Sequence, residues 1–281
     1  FVENAKVEAG TLYVIPRTNN SAFTHNDPQE GHPSTVHITT DEGNVREFIH
    51  GSRATNPVDQ WPDPDVYVNY MGQSLSGSEN RNINRTYPGK ADGTLTEMMS
   101  YGIVQLINTE NIDVTVDLHE ASPEYPVINA LIAHERAMNL ASNVVVDMQM
   151  EGVQISLEPS PTDLRGLTHR ELGDHTDTLA LLMEAPNPAQ GRLRDRTDEA
   201  LVLTGKSETY VKAGEIGQLY VPYDENGWPI EVRCARHVFG IERILANYSE
   251  MYEEPIIVTG MPSYDELVKN GMGPYLNEPT T

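Results

Sequence analysis

The sequence predicts an α/β fold, with a central mostly parallel or mixed sheet flanked by helices. Three observations predict it. Residues 112–120 alternate Ile, Val, Val and Leu with Asp, Thr, Asp and His, the period of two that a strand requires. Residues 178–183 are uncharged and almost wholly apolar, as expected of a strand buried on both faces. Amphipathic helical patterns stand between and around these runs, and alternating helix and strand is the layout of an α/β layer structure.

In chain order, residues 11–16 follow Gly10 and read as a buried strand stopped by Pro16. Residues 24–65 are rich in Pro, Gly, Asp and Asn and read as one long loop, a length often associated with function. His25, His32 and His37 lie in it without ligand spacing. Thr94-Leu95-Thr96-Glu97 is a capping box that opens a helix reaching about residue 108. The strand at 112–120 follows, and Pro123 and Pro126 end its neighbourhood. Residues 133–150 read as a second amphipathic helix, 153–157 as a strand, 164–177 as a loop and 178–183 as the buried strand. Residues 190–196 form a basic loop, 232–252 a long helix, 256–258 a short strand and 264–269 a terminal helix. No repeat or linker divides the chain, so residues 1–281 read as a single domain.

Composition excludes several classes of function. Nineteen Lys and Arg against 42 Asp and Glu give a net charge of −23, which argues against nucleic acid as a partner. An anionic substrate is compatible, held by local arginines against the global field. No apolar run reaches the length of a membrane span, and no signal peptide opens the chain, so a cytoplasmic location is expected. The single cysteine, Cys234, excludes a disulfide framework and reads as a small buried hydrophobe.

Three places in the sequence carry chemistry. His119 ends the 112–120 strand, where an imidazole suits a metal ligand, an acid–base group or an ordinary strand end. Glu184 directly follows the buried run, where partial desolvation raises a carboxylate toward a useful general-base range; a salt-bridged strand end is the alternative. Asn80 to Arg85 sets two arginines among three asparagines, a composition suited to carboxylate recognition or to a solvated turn.

Residues 82–89 (Asn-Ile-Asn-Arg-Thr-Tyr-Pro-Gly), Asp117-Leu118-His119 and Met183-Glu184 together resemble successive active-site signatures of the zinc carboxypeptidase superfamily, its succinylglutamate desuccinylase/aspartoacylase branch in particular. Residues 10–20 are similar to that branch's second strand and following loop, so the resemblance runs from about Gly10 to Pro188. It implies one zinc ion and hydrolysis of an amide next to a carboxylate. The expected reaction is deacylation of an N-acyl amino acid; a metallocarboxypeptidase acting on a peptide carboxylate is the enzymatic alternative. On this resemblance His119 is the third zinc ligand, Glu184 the general base, and Asn84 with Arg85 the pair that holds the substrate carboxylate. On the same resemblance, Arg53 and Arg81, without a motif match, are candidates for the arginine that binds the substrate at its developing oxyanion, and Arg165 and Arg170 stand where the family often places a further substrate-binding arginine. The family's first two ligands form a His-x-x-Glu motif ahead of the Gly10 strand, and no histidine precedes Gly10. The resemblance therefore implies that the first βα unit is missing, with the two other zinc ligands expected upstream of Phe1. A metal-free, degenerate member acting as a binding protein is the non-enzymatic alternative.

Overall fold

The computed structural model describes residues 1–26 and 33–279; His32 lies outside the described residues. Strand β1 (Lys6–Ala9) ends at Gly10, whose φ of 81° turns the chain. Residues 11–16 then form no strand, and Tyr13, Val14 and Ile15 are each more than 40% exposed. The buried strand expected there is not formed, because no neighbouring strand pairs with it among the described residues. The presumed long loop contains a hairpin, β2 (Thr35–Thr39) and β3 (Val45–Ile49), closed by a turn in which Gly43 takes a φ of 89°. Polar residues on its exposed face hide its alternation in sequence. A second small hairpin, β4 (Val66–Val68) with β5 (Ser74–Ser76), leads into the single turn α1 (Ile83–Thr86).

Helix α2 (Leu95–Glu110) starts at the expected capping box, with Thr94 accepting from the Glu97 amide and Glu97 accepting from the Thr94 amide. It stops where Asn111 takes the left-handed conformation. The central sheet follows. Its first strand, β6 (Val114–Ala121), is succeeded by β7 (Ala130–Ala133), a short helical turn, and α3 (Met138–Met150). The helix expected from residue 133 thus begins five residues later. β7 supplies the preceding stretch, too short and too continuous in its apolar residues to be told from a helix start. β8 (Ser156–Pro159) lies three residues beyond the predicted start of its strand. Residues 164–177 are not all loop, because α4 (Thr168–His175) occupies their second half. β9 (Leu179–Pro186) is the predicted buried strand.

The sheet order is β6-β9-β7-β8. β6 pairs parallel with β9, β9 antiparallel with β7, and β7 parallel with β8, so the sheet is mixed. Helices α5 (Glu199–Thr204) and α6 (Glu208–Glu215), unmarked by long periodicity, precede the long α7 (Ile230–Tyr252). β10 (Ile257–Thr259) returns to pair with β1, and α8 (Tyr264–Asn270) follows it.

The main core lies between one face of the sheet and helices α3 and α7. Leu140, Val144 and Met148, spaced by four along α3, are fully buried against Leu131, Leu181 and Met183 of the sheet and Phe239 and Ile244 of α7. Each such side chain contributes about 1.5–3 kcal/mol by leaving water. A smaller cluster on the opposite face joins Tyr87, Val104, Ile107, Leu172 and Ala180. It holds α2, the turn after α1, and α4 against the sheet. That second face carries the candidate site.

Candidate active site

The parallel pairing of β6 and β9 sets His119 directly opposite Glu184. In a parallel pair, facing residues project from the same side of the sheet. The His119 Nδ1 lies 3.8 Å from a Glu184 carboxylate oxygen. Two residues back on the same face of β6, Asp117 accepts a 2.8 Å hydrogen bond from His119 Nε2. This contact fixes which ring nitrogen faces which neighbour: Nε2 points to Asp117, and Nδ1 points to Glu184.

The Asn84–Arg85 pair reaches this strand end through α4. Asn84 Oδ1 accepts from the Thr168 amide at 2.9 Å, and the Thr168 hydroxyl donates to Asp117 at 2.6 Å. Gly166 makes the approach possible. Its φ is 89°, and a β-carbon there would run into the Arg85 carbonyl. Its own carbonyl accepts from the Tyr87 amide. Arg85 donates to the Asn84 carbonyl, lies 3.8 Å from Glu79, and is about a quarter exposed. Asn84 Nδ2 makes no hydrogen bond among the described residues, so its two N–H groups are available to an anion.

Burial and charge set the ionisation of these groups. Burial alone would raise Asp117, but the charge and hydrogen bond of His119, with the Thr168 hydroxyl, bring it down to about 2. Burial alone would lower His119, but Asp117 and then Glu184 outweigh it and raise the imidazole to about 9. Burial carries Glu184 up to about 7 against the opposing charge of His119, with Asp117 and Glu120 adding to the rise. Glu184 is thus a weakly solvated carboxylate that exchanges a proton near neutrality, as a general base must. Nearby, buried His169 is pushed down to about 4 by desolvation and by the charge of His119, while its Nδ1 lies 2.7 Å from the Ser160 hydroxyl.

The two further arginines sit elsewhere. Arg53 is exposed and pairs with Glu79 at 2.9 Å, the same carboxylate that Arg85 approaches. Arg170 is buried and spent: its guanidinium binds Glu135 and Asp174, each at 2.6 Å, and its reach toward a substrate is taken up by them. Arg165 similarly grips the fully buried Glu171 at 2.9 Å through both Nε and Nη2, and Arg81 grips Asp63.

Zinc needs at least three protein donors. At this strand end the described residues offer His119 Nδ1 and Glu184, while Asp117 is turned to Nε2. That donor set does not complete a zinc site. One trio elsewhere, His134, Glu135 and Asp174, brings three donor atoms within 4.8 Å of one another. The Arg170 guanidinium already stands between its two carboxylates, so the cation held there is an arginine.

This clasp has a pH signature. The Arg170 hydrogen bond, outweighing burial, lowers Glu135 from 4.5 to about 2. Burial raises Asp174, but hydrogen bonds from Arg170 and His134 outweigh it and lower it from 3.8 to about 2. Depressed folded-state values mean stabilisation that is present above the unfolded values and lost as pH falls toward about 2. Asp174→Asn is expected to flatten the acid limb of stability measured by urea unfolding from about pH 5 downward. An unaltered limb would show that other carboxylates carry it.

Sequence reasoning singled out His119, Glu184, Asn84 and Arg85 but missed the threonine that joins them. Thr168-His169-Arg170-Glu171 has the Thr-x-x-Glu spacing of a helix start, but the structure caps α4 at Leu167 without a side-chain cap and places Thr168 inside the first turn. No signal in the sequence pairs Thr168 with Asn84 or Asp117, which lie 84 and 51 positions away. No helix among the described residues is long and apolar enough to cross a membrane. No family model, no curated protein and no solved structure matches this chain.

Proposed function

We propose that the residues gathered at the C-terminal ends of β6 and β9 bind a carboxylate-bearing amide, an N-acyl amino acid, and hydrolyse it. The observation that carries this reading is the meeting of Glu184 and His119 across parallel strands, with Asn84 and Arg85 tied to the same strand end through Thr168. Arg85 and the free amide group of Asn84 hold the substrate carboxylate by charge and hydrogen bonding. Glu184 takes a proton from the attacking water and delivers it to the leaving amine, so the amide yields one carboxylic acid and one amine. His119, held by Asp117 through Nε2, turns Nδ1 toward Glu184. Zinc enters the reading only if two further donors come from outside the described residues.

A panel of N-acyl amino acids, the same compounds with the carboxylate capped as an amide, and peptides with free C termini tests the proposal. Hydrolysis of the first group is expected, and capping is expected to abolish it. Arg85→Ala is expected to raise KM on the order of tenfold or more, the loss of a charge-assisted contact, with little effect on capped compounds. Equal loss on both would contradict the carboxylate role. Turnover of peptides alone would favour the carboxypeptidase reading. The incomplete donor set favours a second reading, binding without catalysis, and saturable binding with no turnover across the panel would establish that instead.

A further inference from the structure

Asn84 Oδ1 and Asp117 Oδ2 are both acceptors, so neither can bind the other, and only a donor between them can hold them together. Thr168 supplies two donors. Its backbone N–H, the first in α4 and without a partner inside the helix, goes to Asn84 Oδ1 at 2.9 Å. Its hydroxyl proton goes to Asp117 Oδ2 at 2.6 Å, much closer than the 3.4 Å to Asn84 Oδ1. Thr168 is buried, and Gly166 fixes the entry to its helix by packing on the Arg85 carbonyl.

Two consequences follow from these contacts. With Oδ1 occupied, the Asn84 amide group is turned so that Nδ2 is free for an anion. With Oδ2 bonded by both Thr168 and His119 Nε2, the ring of His119 has one orientation, and Nδ1 faces Glu184. A backbone contact alone would hold Asn84 but leave Asp117 with one partner fewer.

We propose that Thr168 is a positioning residue that couples the Asn84–Arg85 anion subsite to the orientation of His119. The subsite half of the proposal rests on the carboxylate-binding reading; the His119 half stands on the hydrogen bonds alone. The readout is the His119 Nε2 proton in the purified protein, observed by nitrogen-15 NMR, and its exchange with solvent. Thr168→Val keeps the shape and removes the hydroxyl, and is expected to speed that exchange about tenfold, the effect of losing one buried hydrogen bond to a charged group. Thr168→Ser is expected to restore the wild-type rate, which a packing role for the methyl group would not predict. Asn84→Ala removes no contact of His119, yet is expected to speed the same exchange by loosening Thr168.

Acetate is the probe for coupling. In the wild type it is expected to shift both the Asn84 side-chain amide and the His119 ring signals; in Thr168→Val the first shift remains and the second is lost. Unchanged exchange in Thr168→Val overturns the proposal, as does failure of serine to rescue it. Should Thr168→Val fail to fold, unchanged exchange in Asn84→Ala overturns it instead. If acetate moves neither signal in the wild type, the carboxylate reading fails, while the exchange rates still decide whether Thr168 orients His119.

Discussion

Glu184→Gln is expected to lower kcat for N-acyl amino acid hydrolysis by at least about 10²–10⁴-fold, the usual contribution of a positioned general base. Glutamine matches the size of the side chain and keeps a hydrogen-bonding oxygen, so packing at the end of β9 is preserved. What it cannot do is accept a proton at neutral pH. The site is built for that acceptance: burial raises Glu184 to about 7, against the pull of the His119 charge. KM should change little, because the substrate carboxylate is assigned to Asn84 and Arg85 rather than to Glu184. Steady-state kinetics, with circular dichroism to confirm the fold, checks the prediction. Turnover within a factor of about three of wild type would remove Glu184 from the mechanism, since no general base contributes so little.

The second large effect concerns stability. Glu171→Ala is expected to destabilise the protein by about 3–5 kcal/mol, the cost of breaking a buried ion pair by deleting one partner. Glu171 has no exposed surface and accepts 2.9 Å hydrogen bonds from Arg165 Nε and Nη2 and a 2.8 Å bond from the Gly166 amide. The Tyr70 hydroxyl also donates to it, and His175 lies 3.3 Å away. Removing the carboxylate takes one of the two counter-charges from the mostly buried Arg165 guanidinium, leaving Asp174 at 2.8 Å, and frees the backbone just before α4. Urea unfolding measures the change. Arg53→Ala is the contrast, because its pair with Glu79 is made by an exposed guanidinium; a loss of no more than about 1 kcal/mol is expected there. A Glu171→Ala loss as small as that of Arg53→Ala would mean that the cluster relaxes around the deletion.

The sequence was most readable where burial imposes a simple pattern. β6 alternates because Val114 and Val116 pack on the main core while Asp117 and His119 face the candidate site, and β9 is continuously apolar because it lies between two strands and two layers. Both were recognisable, as were the capping box of α2 and the length of α7. β7 was not, because Ala130–Ala133 is short and runs straight into helical spacing. The strand expected at residues 11–16 illustrates the opposite error: a good apolar pattern does not make a strand without a partner to bond. The site divides in the same way. His119 and Glu184 stand at the ends of legible strands, whereas Asn84 and Arg85 stood out by composition and resemblance. Arg170 looked equally free in sequence, but its partners Glu135 and Asp174 are brought to it only by the fold. Thr168 was invisible for the same reason, since what it does depends on two residues far away in the chain.

β6 is also the outermost strand of its sheet, and this has a kinetic consequence. The carbonyls of Asp113 and Ala121 accept from the β9 side, so the alternating geometry turns the amides of Thr115, Asp117 and His119 toward β9 as well. The amides of Val114, Val116, Leu118 and Glu120 point the other way, off the edge of the sheet. A single strand therefore carries two populations of backbone proton. One can be lost to solvent only when β6 parts from β9; the other needs no such opening. His119 belongs to the slow set, although its side chain belongs to the candidate site.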